Sequence, residues 1–262
     1  MPNRKCRQFV AVVLCLAALL ASAAARAQDA SGPLESSAET ALRANACDLL
    51  QQGRYADLDA KMNGVQRDYE TGQISDISLL HSFRAFCPKV YTLEDKYDAW
   101  VAAFPKSYAA RLADGVYLRD MAYYWRGGVY YNQLSATQIQ TMTDYANRAM
   151  EQLQTSLDLT AKPLLSFHVV VGLATIMSDH AAARRALDAA DQLDPHNFVV
   201  RFKYLTSTAL TRWGGSLDEM TAFRDEARQA GLPPEQLSYF DEQINQEKWW
   251  LEHCDPCRGR PR

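Results

Sequence analysis

The chain is poor in the residues that interrupt helices, with 12 glycines and 10 prolines among 262 residues. No stretch alternates apolar and polar residues convincingly, so a β-sheet has no sequence support. Beyond residue 21 no apolar run approaches the ~20 residues that a membrane-spanning helix needs. Positive charge is not in excess: 28 Lys and Arg stand against 31 Asp and Glu. An acidic chain with no basic cluster in its body is a poor binder of nucleic acid or of an anionic membrane. Motifs of common chemistry are also missing, with no glycine-rich phosphate loop, zinc-protease helix motif or nucleophile elbow. His81, His168, His180 and His196 show no metal-ligand spacing, and His168 lies in an apolar run that suits a hydrogen-bonded core histidine. The expectation is a protein that is not an enzyme and holds no cofactor and no metal.

What is present starts at the amino terminus. Arg4, Lys5 and Arg7 precede an apolar run from Phe9 to Ala21, and Ala25-Arg26-Ala27 places small residues where a signal peptidase reads. This is the pattern of a secretory signal peptide over residues 1–27, with the mature chain beginning at Gln28. Leu14 is too bulky for Cys15 to be a lipoprotein site. Loss of Arg4, Lys5, Arg7 and Arg26, with no acid, takes the formal net charge from −3 to −7 and leaves 235 residues. The expected location is periplasmic or secreted, without membrane insertion of the mature chain. Cys47, Cys87, Cys254 and Cys257 then lie in an oxidising compartment, where an even number invites pairing. Of the three connectivities, Cys47 with Cys87 and Cys254 with Cys257 is favoured.

Residues 28–35 read as a flexible leader, and residues 36–252 carry apolar residues at helical spacing. Ser36 with Glu39 is a capping box that opens a first helix. Gly53 ends it, and Tyr55, Leu58, Met62, Val65 and Tyr69 mark an antiparallel return that stops near Gly72. Leu79, Leu80, Phe83 and Phe86 form a third stripe. Thr92 is placed to cap a fourth helix, with Tyr97, Trp100, Val101 and Phe104, and Ser107 a fifth that runs to about Trp125. Ser135 with Gln138 is a further capping box. The segment from Leu164 to Leu173 is apolar on most sides and so central. Ser178 or Asp179 caps the stripe Ala183, Ala186, Leu187, Ala190 and Leu193.

Phe198, Phe202, Leu205, Ala209 and Trp213 share one helical face up to Trp213-Gly214-Gly215-Ser216. There Gly214 or Gly215 takes the left-handed conformation that closes a helix, and Ser216 with Glu219 opens the next. A last helix starts from Pro234. About ten helices and no sheet make an all-α fold. Short connections imply stacked antiparallel helical hairpins, a tetratricopeptide-like α-solenoid. Ala183 through Ala190 to Pro195 has the spacing of that repeat's second helix.

Several motifs occur in a fixed order over roughly Gly53 to Gly231. They are Trp100 with Phe104-Pro105-Lys106-Ser107 and Ala110, then Arg126-Gly127, Asp194-Pro195, and Trp213-Gly214-Gly215-Ser216 with Met220 and Phe223. Together they resemble the bacterial family named domain of unknown function 4034. The resemblance implies a helical, tetratricopeptide-like fold and brings no catalytic residues with it.

Three places invite a functional reading. Arg126 sits among Tyr123, Trp125, Tyr130 and Tyr131, a setting that suits a carboxylate, including a peptide terminus. The same position suits a cation that pins helix ends, and that is the favoured role. Trp213, Gly214, Gly215 and Ser216 form a structural hairpin corner. Cys254 and Cys257, in the basic tail of residues 253–262, are read first as a structural disulfide or an unstructured tail, with a redox or metal-handling role as the alternative. The leading expectation is a helical-repeat scaffold that binds an unidentified protein or peptide.

Overall fold

Ser36, Ser75, Ser107, Ser135, Asp179 and Ser216 each accept a hydrogen bond from the backbone N–H three residues on, and each opens a helix. These caps satisfy N–H groups that have no acceptor inside their own helix. The computed structural model describes residues 33–87, 92–128 and 131–253. The expected signal peptide, Tyr130, Cys254 and Cys257 lie outside them. Among the described residues there are eleven α-helices and no strand: α1 (Ser37–Gln51), α2 (Tyr55–Glu70), α3 (Asp76–Phe83), α4 (Glu94–Ala103), α5 (Tyr108–Arg126), α6 (Ala136–Ser156), α7 (Leu164–Ile176), α8 (His180–Leu193), α9 (Phe198–Thr206), α10 (Leu217–Gln229) and α11 (Pro234–His253). The fold is all-α.

Packing follows chain order for most neighbours, as short connections require. α5 is central to the first half, touching α2, α4, α6 and α7. α7 is central to the second, with eleven of its thirteen residues buried, because its sequence is apolar all round. α3 departs from the order: it packs on α7 and α9 as well as on α1 and α2, so contacts run beyond adjacent hairpins. The Cys47–Cys87 disulfide ties α1 to the segment after α3, with Cα atoms 5.2 Å apart. On the chain-entropy model such a loop stabilises by roughly 3–4 kcal/mol.

Two connections share one shape. Phe104-Pro105-Lys106-Ser107 leads from α4 to α5, and Asp194-Pro195-His196-Asn197 leads from α8 to α9. In both, the first residue donates back to the preceding helix (Phe104 N–H to Trp100 O, Asp194 N–H to Ala190 O). The fourth residue donates to the first, Ser107 to Phe104 and Asn197 to Asp194, and the next helix begins with a buried aromatic, Tyr108 or Phe198. The second helix start has an unusual cap. Asn197 turns its amide to Asp191 Oδ1 and the Asp194 carbonyl, so it is Asp76 Oδ2, on α3, that accepts from Phe198 N–H at 2.7 Å and Val199 N–H at 3.0 Å.

Several expectations need correction. The face from Phe198 to Trp213 is not one helix, because α9 stops at Thr206. Thr206 and Ser207 hydroxyls bond back to the carbonyls of Phe202 and Lys203, and Thr208 pairs with Thr175 of α7 at 2.9 Å. Such side chains compete with the helix ladder. The chain turns, keeps Ala209 and Leu210 buried, and forms a 3₁₀ turn at Thr211–Trp213. Thr92 is not a cap: Leu93 holds that position and makes no side-chain cap bond. Asp179, not Ser178, caps α8. Leu193, placed on the apolar stripe, is 39% exposed.

Asp76→Ala removes the acceptor for two N–H groups at a buried helix start. It is expected to lower the unfolding free energy by about 2–3 kcal/mol, measured by urea denaturation under non-reducing conditions.

Candidate functional site

α2 carries two stripes. The apolar one, Tyr55, Leu58, Met62, Val65 and Tyr69, packs on the core. Beside it Asp59, Asn63, Gln66 and Glu70 recur at steps of four, three and four, so they share another side of the same helix. Each fastens a distant element. Asp59 Oδ1 accepts from the Trp100 indole N–H at 3.1 Å, which ties α4 to α2. Asn63 donates to Ser107 Oγ at 2.9 Å and accepts from Ala109 N–H at 3.2 Å, fixing the start of α5. Gln66 donates to the Lys162 carbonyl at 3.0 Å, and Glu70 accepts from the Thr160 hydroxyl and the Lys162 N–H just before α7. Burial alone would raise the Glu70 pKa, but these donors outweigh it and hold the carboxyl below its ordinary range.

These four side chains floor an open groove of about 800 Å³. Phe104, Pro105, Lys106 and Ser107 line one side, and Leu159, Thr160 and Ala161, between α6 and α7, line the other. Arg67 and Lys106 are exposed at its lip, and neither side chain has a hydrogen-bond or ion-pair partner among the described residues. Phe104 and Leu159 are half-buried beside them, so apolar surface adjoins positive charge. One motif behind the family resemblance, Phe104 to Ser107, is thus a groove wall. The polar stripe below it has a regular sequence signal, but attention to apolar spacing alone passes over it.

The residues singled out at the end of α5 separate into packed and exposed. Tyr123 donates to the Gly172 carbonyl at 3.0 Å, and burial pushes its hydroxyl up to about 12. Trp125 is half-buried and meets Tyr124 edge-on at 5.9 Å. Tyr124 and Tyr131 are 57% and 52% exposed. Arg126 is buried, and its guanidinium lies 5.5 Å above the Trp213 ring. Burial pushes the Arg126 pKa down, countered in part by Tyr131 and Tyr123, yet a guanidinium keeps its charge at any physiological pH. The aromatic corner and the hairpin corner, far apart in sequence, are therefore in contact. A cation over an indole contributes about 1 kcal/mol, which helps to pin α5 to the α9–α10 connection.

The hairpin corner is built for close approach. Gly214 takes the left-handed conformation at φ +101°, whereas a Cβ on Gly215 would collide with the Ala209 carbonyl. Glu247 of α11, itself buried, accepts from the Thr211 N–H at 3.1 Å and from its hydroxyl. Ser216 supplies half of the expected capping box, accepting from Glu219 N–H at 3.1 Å.

His168 is buried with Nδ1 3.1 Å from the Val199 carbonyl. A carbonyl only accepts, so Nδ1 carries the proton, and burial holds the ring neutral, well below the usual histidine range. Among the described residues no group of three or more His, Cys, Asp or Glu side chains is placed to hold a metal ion, and no helix is long and apolar enough to cross a membrane. No protein-family model, curated protein or solved structure matches the chain.

The two corner glycines should respond differently to alanine. Gly214→Ala is expected to cost about 1–2 kcal/mol through its dihedral alone. Gly215→Ala must move backbone and is expected to cost about 2–4 kcal/mol. Thermal and urea unfolding of the two variants check the order.

Proposed function

We propose that the chain is a periplasmic or secreted, non-enzymatic scaffold of tetratricopeptide-like hairpins that binds another protein or peptide along the α2 groove. The observation that carries this reading is the division of labour inside the groove. Most of its floor groups are committed to holding helices together, while the lip offers two cations with no side-chain partner among the described residues, beside half-buried Phe104 and Leu159. Committed floor groups make a rigid platform, and rigid platforms bind at lower entropic cost. Lip cations on an acidic body select a partner that carries negative charge at the contact. The matching Pro-containing connections at Pro105 and Pro195 support a repeat-like architecture, since one connection shape used twice is what a repeat produces. The Cys47–Cys87 disulfide is compatible with an oxidising location. Membership of the family that the motif order resembles belongs to the same proposal.

The aromatic corner is a weaker candidate, because Tyr123 and Arg126 are occupied with packing and, among its described tyrosines, Tyr124 and Tyr131 face solvent.

Selection from a random peptide library displayed on phage tests the proposal. Acidic sequences are expected to enrich, and their affinity is expected to fall about ten-fold or more in Arg67→Glu/Lys106→Glu, equivalent to about 1.4 kcal/mol, with the melting temperature unchanged. Affinity lost in Tyr124→Ser/Tyr131→Ser instead would move the site to the aromatic corner. Absence of any enrichment would end the binding reading.

A further inference from the structure

One buried charge in this fold has been given nothing to bond. Asp114, on α5, is 1% exposed, and neither carboxylate oxygen has a hydrogen-bond partner among the described residues. A native core almost never leaves both oxygens of a carboxylate bare, and where it does the group calls for a role. The helices around Asp114 sharpen the point. Asp114 lies one turn before Tyr117 on α5, and Tyr97, which stacks on Tyr117, has Asp98 next to it and Glu94 one turn earlier on α4. The charges that act most on Asp114 are Asp98 and Glu94 of α4 and Arg148 of α6. Along α5 its charged and titratable neighbours are Arg111 and Tyr117. α2 and α7, the other helices packed on α5, supply none of its leading interactions.

The cations in this set are already engaged. Arg148 Nη2 pairs with Glu94 Oε1 at 2.6 Å, and Arg111 bonds Gln152 and the Pro105 carbonyl. Two acids on α4 therefore face a third on α5 across a seam where the Tyr117 hydroxyl is also buried without a partner. Tyr97 and Tyr117 stack across the same seam at 4.8 Å.

We infer that Asp114 is a pH-sensitive latch on the groove: neutral, it lets α4 lie against α5, and ionised, it repels Glu94 and Asp98 and displaces α4 together with the Phe104–Ser107 wall. The connection to the groove is covalent, since α4 ends at Ala103 and the next four residues line it. The direction is set by linkage. Burial first, then the facing Asp98, push the Asp114 carboxyl up to about 7. A folded-state value above the unfolded one means that the protonated form favours the fold. The stabilisation is complete below the unfolded carboxylate range and is lost as pH rises through about 7. The latch is closed in mildly acidic solution and released in mildly alkaline solution.

The consequence for a ligand rests on the groove reading above, but the seam is measured without any ligand, so the two fail separately. Hydrogen exchange of the intact disulfide-bonded protein is followed by mass spectrometry at pH 5.5 and 8.5, corrected for intrinsic rates. Protection of α4 is expected to fall about ten-fold or more at the higher pH, while α9 and α11 keep theirs. Asp114→Asn is expected to abolish the difference. Asp98→Asn, which changes an exposed residue and leaves the core intact, is expected to move the midpoint of the transition to lower pH by removing one facing acid. A purely structural Asp114 would not move a midpoint. Equal α4 protection at both pH values in the wild type, or an unshifted midpoint in Asp98→Asn, overturns the inference even if Asp114→Asn does not fold.

Discussion

The polar stripe of α2 is the constraint on which the first two thirds of the fold depends. A helix start leaves backbone N–H groups without intrahelical acceptors, and a buried start must find acceptors elsewhere. Here the acceptors come from other helices: Asn63 for Ala109, and Asp76 for Phe198 and Val199, while Glu70 and Glu247 accept in the same way from Lys162 just before α7 and from Thr211 in the 3₁₀ turn. A local serine cap fixes where a helix begins. A cap from another helix also fixes where it lies. With Asp59 on Trp100, α2 orders α4, α5 and the approach to α7 in sequence along one face. The groove is the outer side of that arrangement, which is why its floor is polar and most of its groups are engaged in structure, Gln66 Oε1 being buried without a partner among the described residues.

Much of this was legible in the sequence. Apolar stripes gave the helices, and Ser36, Ser107, Ser135 and Ser216 gave starts, because each rule acts within a few residues. The steps Asp59, Asn63, Gln66, Glu70 were equally regular, yet their meaning depended on partners dozens of residues away. The break after Thr206 escaped for a related reason. The apolar spacing of Ala209 and Trp213 continues the helical face, but three hydroxyl residues in a row redirect the backbone, and one of them is fixed by Thr175 on α7. Arg126 and Trp213 were each visible as unusual. Their contact was not, since nothing local brings the end of α5 to the connection between α9 and α10.

The two corners also show how a feature that looks like a site can be absorbed by packing. An arginine among aromatics beside glycines has the composition of a ligand pocket. In the fold, Tyr123 is bonded to α7 and Arg126 covers an indole, so the polar tips that would meet a ligand meet the protein instead. The groove presents the reverse case. Its lip residues Arg67 and Lys106 gain interest only because most of the groups beneath them are already bonded within the fold.

Asp76 and Asp114 together show how the fold decides what a buried carboxylate does. Both are removed from water, and burial pushes both above the ordinary carboxylate range. Asp76 receives two N–H bonds, which favour its charged form and counter burial, so it serves as an anchor. Asp114 receives none and faces acids, so its charge is left to the pH. The helix beside it, α4, is short and has no side-chain cap, with ten residues of which only Tyr97, Trp100 and Val101 are buried. Its place is held by Trp100 on Asp59, by the Tyr97–Tyr117 stack and by Glu94 on Arg148 and Tyr145. The last two attachments adjoin Asp114. A titratable group set against a well-anchored helix would change stability and nothing else. Set against α4, which continues into the groove wall, it changes shape at the surface that the rest of the molecule holds still.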